Sequence, residues 1–144
     1  MTIALSLRLQ RFYARQAHAV NSGDFDTYRD GFTPDAEFTV DGRPVALHGA
    51  EAVAEHSRRL AAERAPGGAV QRHHITMTAH TRRADGTLTA RSATLIVTTP
   101  PHGRPAVTAS TRCEDEFDDT GGRLRVRRRR VTPDAPPPAA PPGG

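Results

Sequence analysis

Residues 114–131 read EDEFDDTGGRLRVRRRRV: an acidic run, a Gly121-Gly122 pair, and an arginine-rich run punctuated by Leu124, Val126 and Val131. Two glycines between strand-like segments are a hairpin signal, because tight turns need backbone angles that other residues avoid. Strands are therefore expected over Ala106 to Phe117 and Arg123 to Val131. A two-residue turn would set Asp118 opposite Arg125, Glu116 opposite Arg127, Glu114 opposite Arg129 and Asp115 opposite Arg128. The charges then meet as exposed cross-strand pairs, each worth ~0.2–1 kcal/mol. Taken alone, the arginine run suggests a nucleic-acid or membrane patch. With its acidic neighbour it is accounted for, so no nucleic acid and no membrane partner is expected.

Working outward, two more long strands precede the hairpin, over Ala69 to Thr81 and Thr87 to Thr98, with Asp85-Gly86 as the turn between them. Thr99 to Pro105 contains three prolines and one glycine. That connection is longer than the topology needs and is expected to be a mobile lid or dispensable. Upstream, Leu5, Leu9, Phe12, Tyr13 and Val20 recur at roughly helical spacing over Ala4 to Asn21, and Gly23 ends the helix. Asp24 can cap a second short helix that carries Phe25, Tyr28 and Phe32. Ala36, Phe38 and Val40 share one face of a strand. Asp41-Gly42 turns the chain, and Pro44 to Leu47 returns beside it. Gly49 to Arg64 is a third helix, broken by Pro66-Gly67-Gly68. Helices first and then a meander of long strands make an α+β fold.

With 144 residues, one core is the expected solution, and five Phe, two Tyr and no Trp leave most of it to aliphatic side chains. The domain is read as residues 1–132, followed by a disordered tail at 133–144, PDAPPPAAPPGG, which has no apolar periodicity. The apolar run of Met1 to Phe12 is interrupted by Arg8 and is too short for a signal segment or a membrane span, so the expected location is cytoplasmic. A single cysteine, Cys113, excludes an intrachain disulfide.

The helix and turn FYARQAHAVNSGDFDTYRDGFTPDAEF (12–38), the RHHIT start of the first long strand (72–76), the ARSATLIV strand (90–97) and the closing RLRVRRRRVTPD (123–134) together resemble the SnoaL-like members of the NTF2-like superfamily. That superfamily includes polyketide cyclases, scytalone dehydratase and steroid isomerase relatives. The resemblance spans about residues 8–134 and implies an NTF2-like cone, an α+β barrel in which N-terminal helices pack against a strongly curved, mostly antiparallel sheet. It further implies a deep pocket for a hydrophobic small-molecule substrate and a homodimer.

One scaffold hosts unrelated chemistries, so roles transfer only residue by residue. The acidic and two histidine positions of the dehydratase pattern hold Asn21, His73 and Thr98 here. Polar positions on the third long strand fall at Thr111 and Cys113, and a tyrosine position falls at Val40. The resemblance also implies that Ile75, Thr94 and Ile96 face the ligand, while Tyr13, Tyr28, Phe32 and Phe38 read as helix-to-sheet core of which one or two reach the pocket.

His73 is the catalytic candidate, since imidazole titrates near neutrality. A lone strand histidine is equally at home as a structural rim group. His74 points to the opposite sheet face and cannot join His73 around a metal, so neither a metal nor any other cofactor is expected. Cys113 reads as a small hydrophobe with nothing nearby to make it a thiolate. Three functions follow from the resemblance. The first is a tailoring cyclase of polyketide or antibiotic biosynthesis that promotes ring closure by orientation, including a pericyclic [4+2] (Diels–Alder-type) closure. The second is an acid/base dehydratase or isomerase using His73. The third is a non-catalytic ligand-binding or assembly module.

Overall fold

The computed structural model describes residues 2–136. Helix α1 spans Thr2–Ser22 and presents Leu5, Leu9, Phe12, Tyr13 and Val20 to the core, with Leu9 fully buried. Gly23, at φ +75°, ends it: its N–H bonds Val20 O, and the Asp24 N–H bonds Ala19 O at 2.8 Å, the paired closure that a left-handed glycine permits. Asp24 then caps α2 (Phe25–Asp30), accepting from the Thr27 N–H at 3.1 Å. The expected extension of this helix to Phe32 does not occur. Gly31 closes it, and Phe32 opens strand β1 (Phe32–Val40). A four-residue loop, 41–44, leads into β2 (Val45–His48), and α3 follows over Ala50–Arg64.

The meander consists of β3 (Val70–Arg82), β4 (Leu88–Thr99), β5 (Ala106–Asp118) and β6 (Arg125–Pro133). One six-stranded sheet results, in the order β2-β1-β6-β5-β4-β3, with β1 parallel to β6 and every other neighbour antiparallel. It is curved and unclosed, and the fold is an α+β cone. The 100–105 connection is exposed and carries one turn bond, Gly103 N–H to Pro100 O.

Two expectations change at the β5–β6 hairpin. The turn is longer than two residues, although Asp118 still faces Arg125. A bulge then intervenes, because Phe117 pairs with Val126 and Glu116 with Arg128, leaving Arg127 as the extra residue. Beyond it Asp115 faces Arg129 and Glu114 faces Arg130, one position later than an unbroken ladder gives. Since side chains alternate between faces, that one-residue insertion decides which arginine points inward. Val126, Arg129 and Val131 lie on the inner side while Arg127, Arg128 and Arg130 are exposed.

The ordered chain also runs past the expected boundary at residue 132. β6 includes Pro133, the Asp134 N–H bonds Ser110 O at 2.9 Å, and the Asp134 carboxylate accepts from Ser110 Oγ. Backbone hydrogen bonding thus holds residues that composition alone leaves free. The rest of the expected tail, 137–144, lies outside the described residues.

Candidate functional site

Four rows of inner-face residues cross the sheet and grade a cavity from mouth to floor. His73, Ile96 and Ala109 pair laterally; next come Ile75, Thr94, Thr111 and Pro133; then Ser92, Cys113, Val131 and Val40; last Ala90, Asp115, Arg129 and Phe38. α1 and α3 cover them and enclose a cavity of about 490 Å³, within the size range of small-molecule sites. Tyr13, Tyr28, Phe38, Ser92, Cys113 and Arg129 are buried at one end, whereas Pro44, Arg64, Thr108 and Ala135 are exposed at the other. The buried group forms the floor and the exposed group the mouth. A second depression of about 280 Å³ lies between α1, α2 and the β5–β6 turn, lined by Arg8, Arg11, Arg15 and Arg123 among others.

Of the residues singled out from the sequence, the cavity wall contains His73, Tyr13, Tyr28, Phe38, Val40, Ile75, Thr94, Ile96, Thr111 and Cys113. Asn21 and Thr98 stand outside it. Asn21 Oδ1 accepts from both the backbone N–H and the ring Nδ1 of His73, each at 2.9 Å, so its polar head is committed to holding that histidine. Thr98 Oγ1 is turned to Thr108 Oγ1 at 2.8 Å.

With its proton on Nδ1, His73 keeps an unprotonated Nε2. Burial, then the Arg64 and His74 charges, lower its pKa to about 4, leaving the imidazole neutral at physiological pH. His56, on α3, is lowered in the same direction by burial and by Arg59 and Arg64.

A buried ion pair closes the floor, with Arg129 on the cavity wall and Asp115 behind it. Arg129 binds Asp115 in bidentate fashion, Nε to Oδ1 at 2.7 Å and Nη2 to Oδ2 at 2.8 Å. Tyr13 OH donates to Asp115 Oδ2 at 2.7 Å, and Cys113 Sγ approaches Oδ1 at 3.4 Å. Burial pulls the Arg129 pKa down, but Asp115 overrides it and the net shift is upward. Burial, reinforced by Asp115, pushes both the Tyr13 phenol and the Cys113 thiol up, so neither supplies an anion at neutral pH. Arg129 Nη1 points toward Tyr28 OH at 3.4 Å and Gln16 Oε1 at 3.5 Å, while Gln16 Nε2 donates to Tyr28 O at 3.1 Å. Because Tyr28 OH accepts from Arg129, its own proton is free for a ligand oxygen.

Sequence reasoning missed this floor, having placed Asp115 and Arg129 among exposed pairs. It also missed the α3 stripe of His56, Ser57, Leu60, Ala61 and Arg64, all on the cavity wall. That signal was present, for the spacing repeats every three to four residues along one helix face.

The profile of the SnoaL-like domain matches residues 2–130. The chain belongs to the SnoaL-like family. This family includes polyketide cyclases, and its fold here is the NTF2-like cone. No curated protein matches the chain. Among solved structures, Aln2 from a Streptomyces species is similar at 30% identity and a TM-score of 0.82, over 91% of each chain. A protein from Catenulispora acidiphila, solved in complex with S-DNPA, is similar at 34% identity and a TM-score of 0.77, over 92% of this chain and 95% of that one. ActVI-ORFA from Streptomyces coelicolor is similar at 26% identity and a TM-score of 0.79, over 91% and 98%. No helix among the described residues of this SnoaL-like protein is long and apolar enough to cross a membrane.

Proposed function

We propose that this SnoaL-like protein is a cofactor-independent tailoring cyclase that takes up a hydrophobic, polyketide-like substrate and promotes ring closure chiefly by holding it in the reactive conformation. One observation carries the reading: the 490 Å³ cavity is walled largely by apolar side chains and, among the described residues, has no Asp or Glu on its wall. A reaction needing strong proton transfer would be poorly served there, whereas restricting a flexible chain to its near-attack conformer removes several kcal/mol of barrier without a titrating group. At the floor, Tyr28 OH and Arg129 can donate to a carbonyl or to a developing enolate oxygen. A [4+2] closure of a polyene fits these means, and the size and loop pattern resemble the indane-forming cyclase of indanomycin biosynthesis. The relative solved with S-DNPA supports a small-molecule occupant.

A second reading rests on His73, whose ring is oriented by Asn21 with Nε2 left as an acceptor. It makes the protein an acid/base dehydratase or isomerase.

Filling the cavity tests the first reading. Ile96→Trp and Thr111→Phe, in adjacent rows of the inner face, should each lower single-turnover ring closure by ~100-fold or more while leaving the melting temperature within a few degrees of wild type. Full activity in both variants would overturn the proposal.

A further inference from the structure

The depression of about 280 Å³ between α1, α2 and the β5–β6 turn gathers four arginines. Arg8, Arg11 and Arg15 stand at three- and four-residue spacing on one face of α1, so the row extends over about 10 Å of helix. Arg123 comes from the connection that precedes β6, and its Nη2 donates to Asp30 O at 3.0 Å. The Val126 N–H bonds Gly31 O at 2.8 Å and ties β6 to the end of α2, so backbone hydrogen bonding holds this wall in place. Phe12, half-buried, and Leu124, buried, also line the depression. The result is a cationic rim with an apolar floor.

Of the four, Arg8 has a carboxylate partner, Asp119, which also receives Arg82. Arg11, Arg15 and Arg123 form no ion pair among the described residues, whereas every arginine of β6 has one. One carboxylate lines the depression, that of Asp30, which is exposed and lies 3.5 Å from the Arg29 guanidinium. Asp24 feels the Arg15 charge, but its oxygens are committed to the Thr27 N–H at 3.1 Å and the Thr27 hydroxyl at 2.6 Å. Gln16 lies on the wall of both the depression and the cone cavity. Its amide serves the cavity floor, Nε2 to Tyr28 O at 3.1 Å and Oε1 from Arg129 Nη1 at 3.5 Å, so this side chain partitions the two spaces.

We infer that this depression is a second ligand site, separate from the cone cavity, and that it receives a diphosphate group. Guanidinium N–H forks match phosphate oxygens in geometry as well as in charge. A single phosphate carries about −1.5 to −2 at pH 7 and leaves at least one of the three unpaired guanidiniums unanswered. Two linked phosphates answer all three and reach further along the row on α1. Phe12 and Leu124 add apolar surface that an inorganic ion cannot use, which favours an ester whose first carbons lie on that floor. The inference does not depend on ring closure in the cone cavity.

The test is titration of the whole chain, at pH 7 and low salt without divalent cations, with isopentenyl diphosphate, inorganic pyrophosphate and inorganic phosphate. Both diphosphates should bind at least ~10-fold more tightly than phosphate, and added salt should weaken them. Arg11→Met and Arg123→Met should each cost ~10-fold or more in affinity for isopentenyl diphosphate. Two controls should change it by less than about twofold: Arg83→Met, which removes the same charge from the exposed β3–β4 turn, and Ile96→Trp, which fills the cone cavity. Tighter binding of the ester than of pyrophosphate assigns the site to an organic diphosphate, and equal binding assigns it to free pyrophosphate; either supports the inference. No preference for the diphosphates over phosphate, an equal loss in Arg83→Met and Arg11→Met, or a loss in Ile96→Trp would overturn it.

Discussion

Asp115 and Arg129 set the character of the site, since a charge pair at the closed end of an apolar cavity is tolerated only while every lone pair and proton is answered. Asp115 receives Arg129, Tyr13 and Cys113, and Arg129 lies 5.0 Å above the Phe32 ring centroid. Asp115→Asn removes the counter-charge and leaves the guanidinium buried alone, so unfolding in urea at pH 7 should show a loss of about 3–5 kcal/mol. The paired substitution Asp115→Leu with Arg129→Met leaves no orphan charge and should be less destabilising than Asp115→Asn alone. Equal losses would mean that the pair is solvated rather than buried. Gly31 supports the same floor by close approach: a Cβ there would stand 2.1 Å from Gln16 Nε2, the group that bonds Tyr28 O.

At the scale of elements, the bulge in β6 decides what the cavity contains. Removing one residue from the four-arginine run 127–130 would leave an unbroken ladder in which an arginine still faces Asp115, Val131 still faces Cys113, and β1 keeps its parallel partner. This shortened chain should fold with a stability change below about 2 kcal/mol, read by urea denaturation. An unbulged native strand would instead have every residue past the deletion turned to the other face, and cooperative unfolding would be lost. Asp115 was legible in principle, because it is in phase with Cys113 and Phe117 along β5, all three buried. The alternation was obscured by three more carboxylates, Glu114, Glu116 and Asp118, whose pairing with arginines accounted for the charge without any inward member. The four consecutive arginines hid the bulge in turn, since identical residues carry no register information. Helix ends were readable to within a few residues because Gly23, Asp24 and Pro66 each act locally, whereas docking of residues 133–136 depends on Ser110, Arg112 and Arg43, far away in the chain.

For the whole molecule, the fold was legible because helical periodicity, strand length and turn chemistry all agree with one cone. The cavity was legible only as a list of inward positions, since its charge balance emerges when α3 and the β1–β2 loop close over the sheet. The same closure accounts for the basic run: Arg125 pairs with Asp118, Arg127 with Glu116, Arg128 with Glu37, Arg129 with Asp115 and Arg130 with Asp41. Titration with unrelated duplex DNA at about 0.15 M salt should therefore show no micromolar binding, and a tight interaction with a steep salt slope would mean that these arginines are free.

The central claim, that orientation rather than proton transfer drives turnover, meets its most direct test in the single-turnover rate measured against pH for wild type and His73→Ala. With the His73 pKa lowered to about 4, the imidazole is already neutral above about pH 5.5 and gains no proton until the solution is well below that. The account predicts a rate that is flat from roughly pH 5.5 to 9 and a His73→Ala loss below ~10-fold, well short of the usual general acid–base contribution. A loss of ~100-fold or more in His73→Ala would contradict it, with or without a titration step, since a base of pKa about 4 also gives a flat rate above about pH 5.5.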